Sequence, residues 1–551
     1  MRLNRRGALA LLGIGAATSA AAKGSQGKAS FNHGVASGDP GPDRVVIWTR
    51  MTPQTPGGPI VYRWSLTPAS GGSGGVRRGK GVTGPERDHT VKVDVTGLKP
   101  GQDYTYAFEA GEARSPVGRT RTLPATGTQD VVLAIASCSL FPAGYFNAYQ
   151  AIADLPRVDA VLHLGDYIYE YGGPGSYGEE SELGHARRHQ PEKEILQLPD
   201  YRQRHAQYKS DPALQAAHAR AAWIVAWDDH ETCNDSYRDG AENHQTAEEG
   251  SWMERKAAAL KAYYEWMPIR EPAPGQSLAE AAARSFRFGD LAQLIMLETR
   301  LTARDKQLTY DNDLVVVDDK PDVADFRRKL NDPARRIMDP VQEAWLGSEL
   351  SASVNAGHAW QVIGSGVVMG RLMVPDPDTD LPPDAMTNLD ERGQRRLRRM
   401  KPVAQMKLPY GLDMWDGYPV DRERVYDQIK HAGARPIVVS GDSHAFWANE
   451  LADKEGRRVA CEFGGTGVTS PGADDYFKTF KIGPAFAKVS PEVVFNDQSA
   501  KGFVLLTLTR TEARGDLMAV STIASRTFTT SVVKSFRAVP DGRGISGLTE
   551  V

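Results

Sequence analysis

The sequence predicts an α/β protein in which a small all-β sandwich domain precedes a larger domain of strands flanked by helices. Its 551 residues exceed the length of an average domain, which favours two domains. Short strands separated by turns fill residues 30–123, whereas strands and helices alternate from residue 130 onward. The first alternating unit, at residues 131–171, is a strand–helix–strand segment with a polar residue at the end of each strand.

The first 22 residues have the features of a signal peptide. Arginines precede a modest apolar run at 8–17, and the alanines at 20–22 form a small-residue cleavage site. The adjacent Arg5 and Arg6 favour the twin-arginine route, which exports folded proteins, over Sec export. We expect transient contact with the twin-arginine machinery, a mature N-terminus near Lys23, and a periplasmic or secreted protein.

Composition excludes several classes of protein. The net charge of −3 argues against a nucleic-acid-binding module, and no stretch beyond the N-terminus is apolar enough to span a membrane. Three cysteines are too few for a disulfide scaffold. We expect Cys233 and Cys461 to be buried or paired, Cys138 to be a candidate metal ligand, and the protein to be a monomer.

Residues 30–123 are predicted to form a β-sandwich of the fibronectin or immunoglobulin type, because short strands alternate with Gly- and Pro-rich turns. Residues 95–106 resemble the tyrosine-bearing corner of fibronectin type III domains. A linker at 124–129 separates this domain from the next. The predicted strands are 44–50, 61–65, 90–95 and 104–110.

The larger domain is predicted to cover residues 130–537, followed by a flexible Gly-rich tail at 538–551. Polar excursions are expected at 172–199, over the crevice, and at 376–399; an acidic insert at 305–320 has no predicted role. The predicted helices are 144–154, 200–220 with a break near 211, 252–267, 339–352 and 421–432. The predicted strands are 131–136, 158–164, 222–226, a pair within 286–297, 360–364, 436–440, 502–508, 516–524 and 529–536.

Four apolar strands of this domain end in polar clusters, and parallel sheets place their chemistry just beyond such ends. Carboxylate, imidazole, phenolate and thiolate groups together suit iron, manganese, zinc or calcium. The alternative is a set of coincidental polar strand ends with surface aspartates. The clusters are Cys138; Asp166 with Tyr169; Asp228, Asp229 and His230; and Asp442 with His444.

The spacing of Asp166 and Tyr169 lets one tight loop deliver a carboxylate and a phenolate to the same ion. A neutral phenol is a poor ligand and is protonated near neutrality, so a strong Lewis acid such as Fe(III) is favoured over Mg²⁺ or Ca²⁺. A thiolate from Cys138 would also be disfavoured by magnesium and calcium. The alternative places Tyr169 in the crevice wall and Cys138 in the core.

The motifs GDxxY, D-H-E and GDxH resemble those of the calcineurin-like metallophosphoesterases, whose fold is a β-sandwich flanked by helices. The chain more closely resembles the PhoD-type alkaline phosphatases (alkaline phosphatase D), over nearly the whole mature sequence. The motifs that carry this resemblance are FNHGVASGDP, ASCS, HLGDYIYEYG, YRQRHAQYKSDPALQAAHA, WDDHE, LETR and SGDSHAFWANEL.

The resemblance implies a ferric ion and a calcium ion in the crevice. Carried over by motif, Cys138, Asp166 and Tyr169 would bind Fe(III), and His444 would complete its shell. The implied reaction is hydrolysis of phosphomonoesters and phosphodiesters at alkaline pH by attack of metal-bound hydroxide. The sequence contains neither a G-x-S-x-G elbow nor a P-loop lysine that would supply a different mechanism.

For the calcium half, the resemblance implies that Asp166 bridges the two ions and that Asp229 and Asp442 hold calcium. His230 would lie near the substrate, so His230 and Asp166 are the candidate catalytic residues. Related phosphatases have a further histidine after a late strand, but residues 364–370 contain none. Two alternatives stay open: a phospholipase D-like phosphodiesterase of the same family, and a non-enzymatic surface or binding module.

Overall fold

The computed structural model describes residues 29–55, 57–69, 74–179, 181–387, 389–542 and 544–551. The predicted signal peptide lies outside these residues. Within the described chain, no helix has both the length and the apolar character that crossing a membrane requires.

Two large β-sheets form the centre of the molecule. The ten-stranded sheet has the order Thr549–Glu550, Thr530–Ala538, Ala513–Val520, Lys501–Thr509, Asp130–Ala136, Ala160–Leu164, Ala222–Ala226, Val35–Gly38, Arg44–Arg50 and Thr90–Thr96. The seven-stranded sheet has the order Arg284–Phe288, Ala292–Met296, Trp360–Ser365, Pro436–Ser440, Arg458–Gly464, Phe446–Ala452 and Val493–Asp497. The predicted α/β class and its β-sandwich core are confirmed.

The two sheets pack face to face over one apolar core. Leu133 and Leu162 from the ten-stranded sheet share this core with Leu294, Trp360 and Ile437 from the seven-stranded sheet. The central strands are buried on both faces because helices cover the outer surfaces, which explains their continuous apolar sequences.

Helices cover the outer face of each sheet and thereby complete four layers. The predicted break near residue 211 is confirmed, since one helix ends at Lys209 and the next begins at Pro212. The helices are Asn147–Ala153, Glu182–Ala186, Leu198–Lys209, Pro212–Arg220, Thr246–Glu249, Trp252–Trp266, Tyr310–Asp313, Val323–Leu330, Pro340–Asn355, Glu391–Gln405, Pro419–Ala432 and Gly483–Val489.

The N-terminal sandwich is present, but one of its two sheets continues into the ten-stranded sheet. Ser37 and Gly38 pair in parallel with Ala222 and Trp223, so three N-terminal strands extend the larger domain. The predicted tyrosine corner is confirmed, because the Lys99 amide donates to the Tyr104 hydroxyl at 3.0 Å. The facing sheet contains Gly118–Arg121, Asp103–Ala110, Ile60–Pro68 and Arg77–Thr83, with Ala113–Arg114 at its edge.

The C-terminal residues differ from the predicted flexible tail. Thr549–Glu550 pairs with Phe536 and Arg537 at the edge of the ten-stranded sheet. Ile545 is buried in the core between the sheets, and a short hairpin joins Pro540–Asp541 to Gly544–Ile545. The glycines occur at this turn, and Ala538 and Ile545 anchor the segment in the core, with Leu548 packed against it.

The predicted excursions contain local structure. Residues 172–199 include the helix Glu182–Ala186, and residues 376–399 contain most of a basic helix, Glu391–Gln405. The acidic insert holds the helix Tyr310–Asp313 and a hairpin of Val316–Val317 with Lys320–Pro321. In a further two-stranded sheet, Ala29–Ser30 pairs with Thr52–Pro53.

Candidate metal centre

The predicted polar clusters meet at one edge of the sandwich, where parallel strands of both sheets end. Ser137, at the end of one sheet's strand, forms a parallel bridge with Gly467 from the other half of the sandwich. Cys138, Asp166 and Asp442 follow three of the strands directly or after one residue, and all three have positive φ, as does His444. Non-glycine residues adopt this conformation at a cost, and such residues concentrate at functional sites.

The first group contains Cys138, Asp166 and His444, whose candidate ligand atoms lie within 4.8 Å of one another. The Tyr169 hydroxyl joins them, at 2.9 Å from Asp166 Oδ2 and 3.3 Å from His444 Nε2. Ser470 Oγ lies 2.6 Å from the same hydroxyl. The structure therefore brings together all four side chains that the sequence assigned to iron.

The protonation of this group depends on its burial. Burial raises the pKa of the Cys138 thiol and of the Tyr169 phenol well above their usual values, and Asp166 adds to both shifts. Burial lowers the pKa of His444 to about 4, so its imidazole is neutral and its Nε2 can serve as a ligand. His444 Nδ1 lies 3.0 Å from the Pro471 carbonyl oxygen, which fixes the tautomer and turns Nε2 toward the cluster.

Two further groups overlap the first and share its carboxylates. Asp166, Asp229 and His230 form one, and Asp228, Asp229 and Asp442 form the other, each with atoms within 4.8 Å. The shared Asp166 and Asp229 join all three groups into a single centre. A carboxylate shared in this way can bridge two cations.

Arg300 distinguishes the two neighbouring aspartates of this centre. Its fully buried guanidinium donates to both carboxylate oxygens of Asp228, at 2.7 and 2.8 Å, and to Asp413 at 2.8 Å. Asp229 instead accepts from the backbone amides of His230 and Asp235 and lines the cavity. Asp228 is thus neutralised within the protein, whereas Asp229 faces the space that a cation would occupy.

The remaining charges fit a cation-binding centre. Asp166 Oδ1 is buried and accepts no hydrogen bond from the described protein. Burial and neighbouring carboxylates raise the pKa of Asp166 and of Asp442 well above the usual aspartate range. Such carboxylates are costly without a compensating charge, and a metal ion supplies one. The donor set of carboxylates, imidazole, phenol and thiol therefore fits a metal centre.

His230 is held beside this centre by Glu170. Its Nδ1 lies 2.7 Å from Glu170 Oε2, and its ring centroid is 4.2 Å from that of Tyr169. Burial lowers the pKa of His230, but Asp229, Glu170 and Asp166 raise it more, so it lies well above the usual histidine value. A protonated imidazole with Nδ1 fixed in this way presents Nε2–H as a donor.

A cavity of about 380 Å³ opens onto the cluster. Its walls include His230, His444, Asp229 and Tyr171, together with Tyr177 from the excursion predicted to cover the crevice. A larger cavity of about 650 Å³ lies beside the N-terminal sandwich, but none of the ligand groups found in the described chain lines it. The smaller cavity is therefore the candidate site.

Glu231, the last residue of the WDDHE motif, has a supporting contact that sequence reasoning did not identify. Its carboxylate accepts from the backbone amides of Asp166, Tyr167 and Asp228, at 3.1, 2.6 and 2.8 Å. This carboxylate ties together the ends of two neighbouring strands. The position of Glu231 within a motif is the only sequence signal for this role.

Gly366, in the stretch after a late strand that lacks the expected histidine, packs closely against Asp228. A Cβ atom at this position would lie 2.4 Å from Asp228 Oδ1, which is too close for any side chain. Gly165 is similarly constrained, with φ of +107° and a hypothetical Cβ 2.3 Å from the Asp228 Cβ. The two glycines give the Asp228–Arg300 pair its space, so a side chain cannot enter the centre from residue 366.

Cys233 and Cys461 are buried, and no disulfide occurs in the described chain. The Cys461 Sγ lies 3.4 Å from the Ser546 carbonyl oxygen, in the ordered C-terminal segment. Of the two expectations for these thiols, burial is the one that the structure shows. Neither thiol belongs to the ligand groups of the centre.

The sandwich and its strand-end centre define a hydrolase of phosphate esters. Residues 133–517 match the PhoD-like phosphatase family, and residues 16–124 match the N-terminal domain described for that family. The chain is 36% identical over 502 residues to alkaline phosphatase D of Bacillus subtilis (strain 168), covering 88% of this chain and 77% of that protein. A solved structure titled "Structure of PhoD" superposes with a TM-score of 0.75 at 32% identity, covering 95% of this chain and 92% of the other. The chain belongs to the PhoD-like phosphatase family.

Proposed function

We propose that this phosphoesterase is an exported, metal-dependent alkaline phosphatase that uses Fe(III) and Ca²⁺ to hydrolyse phosphomonoesters and phosphodiesters. The observation that carries the proposal is the sharing of Asp166 and Asp229 among three ligand groups that open onto one cavity. Two cations held by these shared carboxylates would supply the positive charge that a phosphate ester needs and would acidify a water molecule.

The proposed iron ligands are Cys138, Asp166, Tyr169 and His444. Their support is the chemistry of the donors, because burial keeps both the thiol and the phenol protonated in the absence of a cation. A strongly Lewis-acidic ion compensates for the loss of both protons, whereas Ca²⁺ prefers carboxylate and carbonyl oxygen. The proposed calcium ligands are Asp229 and Asp442, with Asp166 shared.

The proposed role of His230 is to bind and protonate the substrate. Its Nδ1–H is held by Glu170, so its Nε2–H is free to donate to a phosphate oxygen or to the leaving oxygen. Glu170 also accepts from the Asn234 backbone amide and the Asn243 side chain, which fixes the carboxylate. These residues orient the imidazole over the cavity before the substrate enters.

Phosphodiester hydrolysis is supported by the openness of the site. Tyr171 and Tyr177 are among the residues that line the cavity. Of the described residues, none beyond His444 lines it, so the C-terminal segment does not contribute to its wall. An aromatic wall accommodates an apolar ester substituent in addition to the leaving group. A phospholipase D-like diesterase therefore stays the second candidate, whereas membership of a phosphatase family argues against a non-enzymatic module.

Hydrolysis of nitrophenyl phosphate and bis(nitrophenyl) phosphate tests the proposal. We expect turnover of both esters, loss of activity on metal chelation, and recovery only when iron and calcium are restored together. The ratio of the two activities decides between the phosphatase and the diesterase. Full activity after complete metal removal contradicts the proposed centre.

Export forms the second part of the proposal and rests on Arg5 and Arg6 in the N-terminal segment, outside the described residues. From the sequence we also propose that residues 1–22 form the signal peptide, 30–123 the N-terminal domain and 130–537 the catalytic domain. The twin-arginine route transports folded proteins, so iron could enter the centre before export.

A further inference from the structure

The basic helix Glu391–Gln405 borders a second cavity, of about 460 Å³, that the proposed reaction does not use. Leu397 and Gly393 are buried, and the neighbouring face of the helix lines the cavity. No acidic side chain is among the described residues that line this space. The arginine cavity is defined by Arg392, Arg395, Arg396 and Arg399.

Two of these arginines are already placed by an aromatic ring. The guanidinium carbon of Arg396 lies 3.9 Å above the Tyr476 ring centroid, and that of Arg392 lies 5.0 Å from it. Stacking fixes the plane of the Arg396 guanidinium while leaving its edge N–H groups available to an anion. Arg395 and Arg399 are exposed and form no hydrogen bond or ion pair within the described chain.

The two acidic residues of the adjoining segment, Asp474 and Asp475, are paired with lysines. Asp474 lies 3.5 Å from the Lys481 ammonium, and Asp475 lies 2.9 Å from that of Lys501. Each carboxylate on the adjoining segment therefore has its own lysine partner. The cavity keeps an excess of positive charge beside aromatic surface, which is the composition of an oxyanion-binding site.

The arginine cavity adjoins the metal centre through one short segment. Ser470 contacts the Tyr169 hydroxyl, the Pro471 carbonyl contacts His444, and Tyr476 lines the arginine cavity. Six residues span roughly 22 Å at most when fully extended, so the two sites are within reach of one elongated ligand. Tyr476 also neighbours Tyr177, which lines the metal-centre cavity.

Tyr410 links the two sites on the other side. Tyr410 lines the arginine cavity. Burial raises the pKa of its phenol, Arg396 lowers this pKa and Asp442 raises it. Tyr410 therefore lies within electrostatic range of a cavity arginine and of a proposed calcium ligand. Tyr410 and Tyr476 thus both line the arginine cavity and both interact with a residue of the metal centre or of its cavity.

We propose that the arginine cavity binds a second phosphate group carried by the leaving group of the substrate. This inference rests on the proposed function and deepens it: the preferred substrates are phosphate esters with two or more phosphates. One phosphate occupies the metal centre while the other is held by arginines. Planar guanidinium groups match phosphate geometry by forming two parallel hydrogen bonds.

A series of non-hydrolysable alkane bisphosphonates of increasing chain length measures the distance between the two sites. Their inhibition of nitrophenyl phosphate hydrolysis is compared with that of alkyl monophosphonates of equal length. We expect an optimal length at which the bisphosphonate inhibits about tenfold or more better, because hydrogen bonds to charged groups contribute this much. No advantage at any length overturns the proposal.

The variant Arg395→Gln/Arg399→Gln removes two exposed charges and should abolish this advantage. Its kcat/KM for nitrophenyl phosphate, which has no second phosphate, should stay at the wild-type value. Arg398→Gln/Arg424→Gln is the charge-matched control, since neither arginine lines the cavity, and it should keep the advantage. Retention of the advantage in the Arg395/Arg399 variant contradicts the proposal.

Inorganic phosphate tests whether the arginine cavity binds free phosphate instead of a phosphate group of the substrate. If free phosphate changes turnover of nitrophenyl phosphate non-competitively, and the Arg395/Arg399 variant loses that effect, the cavity senses free phosphate and the substrate-linked proposal is wrong. Purely competitive inhibition, equal in both proteins, supports it. Absence of nitrophenyl phosphate turnover in wild-type protein would instead refute the proposed function, and calorimetric titration with the bisphosphonates would still test the cavity.

Discussion

Replacing Arg300 with methionine should destabilise the protein more than any exposed arginine substitution. Arg300 is fully buried and neutralises Asp228 through two hydrogen bonds of 2.7 and 2.8 Å. Asp413 would keep Arg304 as a partner, but Asp228 would lose its only described cationic one. Leaving one uncompensated carboxylate in a buried site costs about 3–5 kcal/mol.

A double-mutant cycle separates the lost charge pair from the lost packing. Asp228→Asn combined with Arg300→Met removes both charges, so the double variant should be more stable than Arg300→Met alone by about 1–3 kcal/mol. The free energy of unfolding is measured by urea denaturation of metal-depleted protein, so that cation binding does not contribute. Arg398→Met, at an exposed position on the basic helix, is the control and should change stability by less than about 0.5 kcal/mol.

The reasoning is refuted if Arg300→Met unfolds at the wild-type urea concentration with an unchanged slope. It is also refuted if the Asp228→Asn/Arg300→Met protein is no more stable than Arg300→Met. Either result would mean that Asp228 is not ionised in the folded protein. Arg300 would then not be the residue that separates the roles of Asp228 and Asp229.

Three further substitutions test other parts of the molecule. Asp442→Asn keeps the side-chain size but removes a charge, so elemental analysis should show loss of calcium and assays a loss of most activity; full activity without calcium removes Asp442 from the ligand set. Glu231→Gln leaves fewer acceptors for three backbone amides and should lower the unfolding free energy by about 1–3 kcal/mol in urea titrations, an unchanged value being the contrary result. Replacing Arg5 and Arg6 with lysine should abolish export, as judged by fractionation, and continued export would favour the Sec route.

The strand-end residues could be predicted because their signal is local. A buried strand has a continuous apolar sequence, and the residue after it lies at the sheet edge wherever the neighbouring strands are parallel. Cys138, Asp166 and Asp442 were therefore placed together correctly from the sequence, as were Tyr169 and His444 within the same motifs. That prediction required only the strand ends and the motifs. It required neither the distances between the side chains nor the identity of the metal.

The supporting contacts could not be predicted because they join distant parts of the chain. Arg300 bonds to Asp228 across 72 positions and to Asp413 across 113 positions, and no local pattern encodes such pairs. The close packing of Gly366 against the Asp228 carboxylate could not be predicted either, because Asp228 follows another strand. A motif shows that Arg300 is present but not which charge it neutralises.

The domain relationship and the C-terminus were missed for a related reason. The pairing of Ser37 with Ala222 merges an N-terminal sheet with the catalytic sheet, and strand pairing at such separation leaves no mark in hydrophobic periodicity. The C-terminal segment is Gly-rich and polar, so its few buried apolar residues, Ala538 and Ile545, gave too little signal. The basic helix Glu391–Gln405 likewise buries little more than Leu397, so its sequence resembles that of a surface segment.

The most direct test of the metal centre is the visible absorption spectrum of purified protein together with its metal content. Fe(III) bound by Tyr169 predicts iron in the protein and a phenolate-to-iron charge-transfer band. Tyr169→Phe should bleach or strongly shift this band while the fold is retained, because the phenylalanine ring keeps the packing against His230. Protein that contains only zinc, or iron-loaded protein without colour, would contradict the proposed ligand set.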